Sequence, residues 1–301
     1  MAHTCAPIAY YNRYTGRIEH EPVYGERWLR WTYESAPGRW ALWLFVKRIW
    51  FSRYYGWRMR RPASARRVLP FIQEYHIDTS EFLDPPQSFR SFNEFFIRRL
   101  NPAARPICDD AGAVVFPADG RHLGFADVGA TDAFYAKGQK LDVATLLGSA
   151  ALASRFGRGT IVISRLCPLD YHRFHFPYDG DARAAAWHEG PLLSVNPIAL
   201  QRSLAALAEN RRVLTLIDGR ALGLVAFVEV GATCVGSIVH TAPAGPVRRG
   251  QEKGFFQFGG SCTITLFEPG RVRLADDLLA HAGAGRELYA HMGDRMGTVL
   301  P

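Results

Sequence analysis

The spacing of apolar residues changes character near residue 105. Upstream, blocks rich in Trp, Tyr, Phe and Arg read as helices. Downstream, short β-branched runs set off by Gly or Pro turns read as strands: Thr160 to Ser164, Arg212 to Ile217, Leu222 to Val230, Thr233 to His240 and Cys262 to Phe267. The last of these alternates roughly, as a half-buried strand should. Lys137 to Leu147, with Leu141, Leu146 and Leu147, predicts a short helix. Ser91-Phe-Asn-Glu94 has the form of a capping box that opens a helix over Phe92 to Leu100, and Pro102 stops it. Pro102 to Pro106 then separates two regions, 1–105 and 106–301. The predicted fold class is α+β: N-terminal helices followed by a mostly β domain, barrel- or sandwich-like.

Within the helical region, Trp40 to Arg61 has an apolar portion, Trp40 to Phe51, interrupted by Lys47 and Arg48. It is too short to span a bilayer. Its aromatics, followed by Arg53, Arg58, Arg60 and Arg61, suit either a segment lying in a membrane interface or an amphipathic helix packed on the protein itself. No run of 18 apolar residues occurs, and Met1 to Asn12 lacks a signal-peptide pattern.

Charge sharpens this reading. The formal net charge is +8, and of 36 cationic side chains only four are lysine. Such a balance favours anionic partners, and arginine adds forked recognition of phosphate, although a GC-rich genome produces the same bias. No nucleic-acid-binding motif accompanies the charge, so nucleic acid is not an expected partner. The five cysteines are scattered without a C-x-x-C pair, which argues against a disulfide framework and a structural zinc site. No metal site is evident.

Reactive residue types gather in three places: Pro117-Ala-Asp119-Gly120, Asp170-Tyr-His172-Arg-Phe-His175 and Phe258-Gly-Gly260-Ser261-Cys262. Together they supply an Asp, a His and a Ser, a trio able to activate a serine hydroxyl. Singly they are ordinary: a turn, a hydrogen-bonded histidine pair and a flexible corner.

In order along the chain, these motifs resemble the phosphatidylserine decarboxylase family. Phe92-Asn-Glu-Phe-Phe-Ile-Arg-Arg-Leu100, Ala104-Arg-Pro-Ile107, Phe116-Pro-Ala-Asp-Gly120 and Cys167 to Gly180 come first. Leu193-Ser-Val-Asn-Pro197, Val230 to Ile238, Gln251-Glu-Lys-Gly254, Phe258-Gly-Gly-Ser261 and Leu266-Phe-Glu-Pro-Gly270 follow. The resemblance implies self-cleavage between Gly260 and Ser261, giving a large chain 1–260 and a small chain 261–301. Ser261 would become a covalent pyruvoyl group, with Asp119 and His175 completing the processing triad and His172 the acid–base group of decarboxylation. Ser194 and Asn196 would line the substrate site. It further implies phosphatidylserine in an anionic membrane as substrate, a homodimer, and a peripheral place on the cytoplasmic face of a bacterial membrane, held by the N-terminal region. One departure is Cys262, where many relatives carry Thr; a thiol fits there as a small hydrophobe. Two other readings use the same residues: a pyruvoyl enzyme acting on a soluble amino acid or another serine-headed lipid, and a serine hydrolase acting on an external ester.

Overall fold

The computed structural model describes residues 8–22, 31–32, 35–41, 49–129, 141–201, 203–232, 238–259 and 261–301. Among these, eleven strands form one open sheet. Its path runs Gly245–Val247, Gly180–Ala182, Arg212–Asp218, Leu224–Gly231, Ser261–Phe267, Thr160–Leu166, Gly120–Phe125, Glu287–Ala290, Ala9–Asn12 and Arg17–His20. Ala186–His188 pairs with Arg212–Asp218 off this path. Ala9–Asn12 is parallel to Glu287–Ala290, and the other pairs are antiparallel.

Ser261–Phe267 is an interior strand, paired along its whole length with Leu224–Gly231 on one side and Thr160–Leu166 on the other. Alternation divides its side chains between two cores. Cys262, Ile264 and Leu266 join Val228, Val230, Ile161 and Ile163 in the first. The helices Val143–Leu147, Ala150–Phe156 and Ala205–Glu209 cover that core. Phe267 enters the second core, so Ser261, Thr263 and Thr265 face that way as well. Two three-stranded sheets cover the second core. One contains Ile238–His240, Glu252–Phe256 and Arg173–His175; the other contains Val272–Leu274, Arg295–Val299 and Ala113–Val115. The β body is therefore sandwich-like on one face and helix-covered on the other, not a closed barrel.

A third, aromatic cluster holds the N-terminal helices together: Met59, Phe71, Phe89, Phe92, Phe95 and Phe96 pack with Phe258. The helix Phe92–Phe96 starts as its sequence predicts, with Ser91 Oγ accepting from Glu94 N at 3.1 Å. Glu94 departs from the capping-box pattern: its carboxylate accepts from Arg90 N instead. The helix also ends at Phe96, short of Leu100, because Arg98 turns inward to the carbonyls of Leu169 and Asp170. The predicted helix over Lys137 to Leu147 is found as Val143–Leu147, capped by Asp142 and closed by Gly148 at φ +64°. Residues 137–140, 42–48, 233–237 and Gly260, on which other expectations fall, lie outside the described residues.

The α+β class is as expected, but residues 9–12 and 17–20 are strands of the main sheet where the pattern read as helical. No helix among the described residues is long and apolar enough to cross a membrane.

Candidate active site

The site is assembled where the strand of Ser261 meets the loop Cys167–His172 and the aromatic cluster. Ser261 opens its strand opposite Gly231 and Leu166 and is fully buried. Gly259, two residues earlier, has φ +141°, a conformation that side chains with a Cβ rarely adopt, so glycine is needed there. Phe258 is anchored by Asn93 Oδ1, which accepts from its N–H at 2.9 Å.

His172 lies beneath this corner. Phe96 contacts both its ring, at 3.8 Å between centroids, and Phe258, at 5.0 Å. The Nδ1 of His172 lies 2.9 Å from the carbonyl of Asp170. A carbonyl can only accept, so Nδ1 carries the proton and Nε2 is left as a bare acceptor. Arg98 Nη2 donates to the same carbonyl at 3.3 Å. Burial drives the His172 pKa down to about 3, and Arg98 adds to that effect.

His175 ends the strand Arg173–His175, and its N–H donates to Pro117 O at 2.7 Å. Burial lowers its pKa to about 4, while the charges of Glu252 and Asp119 act in the opposite sense. The two histidines thus share a segment but have different surroundings. His172 precedes the strand and His175 ends it, so they do not share the helical turn that would align residues three apart.

Asp119 is buried and heavily engaged. Arg105 donates to it through Nε at 2.8 Å and brings Nη2 within 2.7 Å as an ion pair, and Met292 N donates at 2.8 Å. Arg105 also reaches Glu81 at 2.9 Å. Asp119 therefore acts on His175 by charge, while its own oxygens are held by Arg105 and Met292.

Among the described residues, the buried side-chain atoms with no hydrogen-bond partner include Ser261 Oγ, His172 Nε2 and His175 Nδ1, and also the hydroxyls of Thr263 and Thr265 on the same strand face. Buried polar atoms are nearly always satisfied, so three such atoms on three residues singled out by sequence point to chemistry. Ser261 is able to hold a group derived from itself, because the ladder bonds of the residues after it keep the strand in place when the preceding peptide bond is lost.

Ser194 and Asn196 have a different setting. Ser194 Oγ accepts from Asn196 N at 3.1 Å, and Asn196 Oδ1 accepts from Ile198 N at 3.0 Å, opening the helix Pro197–Leu200. The adjoining Val195 and Leu200 pack in the first core, on the Cys262 face. Cys262 itself is fully buried there, and burial pushes its thiol up to about 12.

Sequence reasoning missed the charged frame around these residues. Arg121 and Arg165 lie directly opposite each other on adjacent strands, an arrangement that repels. Carboxylates resolve it: Arg121 holds Asp170 at 2.6 Å, and Arg165 holds Glu21 at 2.5 Å and Glu287 at 2.6 Å. Asp170 also accepts from Cys167 N at 2.7 Å, which fixes the turn whose carbonyl orients His172. The available signal was a charge at a core-facing strand position, in register with Leu123 or Ile163.

The family model for phosphatidylserine decarboxylase matches residues 92–298. A phosphatidylserine decarboxylase proenzyme of Chlamydia muridarum is 42% identical over 289 residues, covering 96% of each chain. The proenzyme of Desulfitobacterium hafniense is 38% identical over 292 residues, covering 97% of this chain and 98% of its own. That of Clostridium botulinum strain Kyoto is 37% identical, also over 292 residues.

Proposed function

The chain belongs to the phosphatidylserine decarboxylase family, and on that premise we propose that it cuts itself between Gly260 and Ser261 and then converts phosphatidylserine to phosphatidylethanolamine and carbon dioxide. The observation that carries this reading is the trio of buried, unpartnered atoms: Ser261 Oγ, His172 Nε2 and His175 Nδ1.

His175 is neutral at ordinary pH and can take the Ser261 hydroxyl proton. The charge of Asp119 favours the imidazolium that results. The freed oxygen attacks the Gly260 carbonyl, and the amide between Gly260 and Ser261 becomes an ester. Loss of the Ser261 α-proton expels Gly260 as a carboxylate and leaves dehydroalanine at 261. Water then converts that residue to a pyruvoyl group and ammonia. Chain 1–260 and chain 261–301 are the products. Once formed, the pyruvoyl group supplies the electron sink that decarboxylation of an amino acid requires.

The protein's own residues do the rest. His172, held by the Asp170 carbonyl with Nε2 free, moves a proton at the substrate α-carbon. An entering phosphatidylserine is anionic and favours the protonated ring. Ser194 and Asn196, on their capping turn, line the lipid headgroup site in this reading.

The N-terminal region would hold this site at a membrane surface. Tyr54 and Trp57 are exposed on the helix Ile49–Arg60, beside exposed Arg53, Arg58 and Arg60. The same helix stacks Tyr55 on Phe258, at 5.6 Å between centroids, and joins Arg60 to Gln257 at 3.1 Å. An interfacial face thus sits on an element that touches the cleavage segment. The same reading places the enzyme peripherally on the cytoplasmic face of a bacterial membrane, as a homodimer.

Intact-mass analysis of wild type beside Ser261→Ala tests the reading. Wild type should give two fragments, the smaller with a blocked N-terminus, and Ser261→Ala one continuous chain. An uncut wild type with an ordinary serine at 261 ends it.

A further inference from the structure

The sheet that carries Ser261 and the sheet that carries His175 are separate. Their faces meet in an apolar core that includes Phe174 and Phe256 from one and Phe227 from the other. Apolar packing alone tolerates small slides of one sheet over the other. One buried charged contact does not.

Glu229 is fully buried on Leu224–Gly231, directly across from Thr263 and on the same face as Ser261 two positions along. Lys253 Nζ reaches it from the other sheet at 2.5 Å. Lys253 is the extra residue of a β-bulge: Glu252 pairs with His175 and Gly254 with Phe174, leaving Lys253 unopposed. Bulges of this kind re-aim a side chain. Here the bulge sends the ammonium inward, within 6 Å of the ring centroids of Phe174, Phe176 and Phe227. Gly254 keeps the bulge tight, since a Cβ there would stand 2.1 Å from Val239 O. His240 closes the cluster, with Nε2 at 3.1 Å from Lys253 Nζ and 3.3 Å from Glu229 Oε2.

Two further points argue that this pair does more than fill space. Taking both charges out of water costs several kcal/mol per ion, so hydrophobic residues would serve packing better. The chain also uses arginine for nearly all its cations, yet keeps lysine here. Its compact ammonium stands near three rings at once while one carboxylate takes its charge.

We propose that Lys253, Glu229 and His240 form an inter-sheet tie that sets the position of His175 relative to Ser261 and thereby the rate of self-cleavage. Lys253 and Glu229 are positioning residues, and the proposal rests on the self-cleavage reading above. The tie fits a role in geometry, because the bulge that aims Lys253 is the residue next to the partner of His175.

The test uses the near-isosteric, uncharged double variant Glu229→Gln/Lys253→Met, expressed as the full chain beside wild type and Ser261→Ala. If wild type stays whole, the self-cleavage reading has failed, and the variant is not needed to show it. If wild type splits, the double variant should fold with a similar melting temperature but split at least about tenfold more slowly. Hydroxylamine, which cuts an ester but not an amide, should reveal no stored ester, because the slowed step is the attack by Ser261 Oγ. A folded double variant that splits at the wild-type rate, or one that accumulates the ester, overturns the proposal. Should the double variant be insoluble, His240→Gln, at the half-buried end of the cluster, replaces it. Slower splitting at unchanged melting then supports the tie, and wild-type splitting overturns it.

Discussion

His172 and His175 are held neutral by burial, at about 3 and about 4. An ordinary histidine titrates near 6.5, so a solvent-exposed base would lose half its activity there. The self-cleavage rate should instead stay level from neutral pH down to about 5 and fall as pH passes through about 4, where His175 protonates. Quenched time courses on gels would check this, with circular dichroism at each pH to confirm folding. The control matters because the same shifts act on stability. Between about 6.5 and about 4 the unfolded chain takes up protons that the buried histidines refuse, so the native state weakens as pH falls across that window. A rate that halves near 6.5 in folded protein would remove His175 as the base. At this scale the sequence was informative about residue types and silent about partners. Asp119, His172, His175 and Ser261 stood out because their motifs occur in order. The commitment of Asp119 to Arg105 did not, because one arginine among so many carries no mark of its partner.

Strand periodicity was legible wherever a run was β-branched and bounded by turns. Thr160–Leu166, Arg212–Asp218, Leu224–Gly231 and Ser261–Phe267 differ from their predicted spans by one or two residues. Ala9–Asn12 was not legible, because beyond its hairpin with Arg17–His20 its place in the sheet depends on Glu287–Ala290, at the far end of the sequence. Neither was the shortened helix Phe92–Phe96, which yields to the inward turn of Arg98. The opposed Arg121 and Arg165 join these elements, since Glu21 comes from the N-terminal segment and Asp170 from the histidine loop. Replacing Arg121 by Met leaves Asp170 buried without its cation. We expect a loss of about 3–5 kcal/mol, read from urea denaturation of the Ser261→Ala background. A change below about 1 kcal/mol would show that the carboxylates find other partners.

On the scale of the whole molecule, the exposed Tyr54 and Trp57 should bring the enzyme to lipid without taking part in self-cleavage. Tyr54→Ser/Trp57→Ser should bind anionic vesicles several-fold more weakly in a flotation assay and split at the wild-type rate. Unchanged flotation would move the membrane contact elsewhere. A different consequence comes from the interior place of Ser261–Phe267, which is bonded along both edges. Before the cut, that strand is delivered to its slot as part of one molecule, and closing the loop costs little more as the loop grows. Afterwards, residues 261–301 have to find the slot from solution, at a cost that depends on concentration. Ser261→Ala should therefore regain its structure after dilution from urea at any protein concentration, whereas the matured enzyme should recover poorly, and worse the more it is diluted. The order of events is thus imposed by architecture: the polypeptide has one opportunity to assemble as a unit, and the reaction that arms it also ends that opportunity.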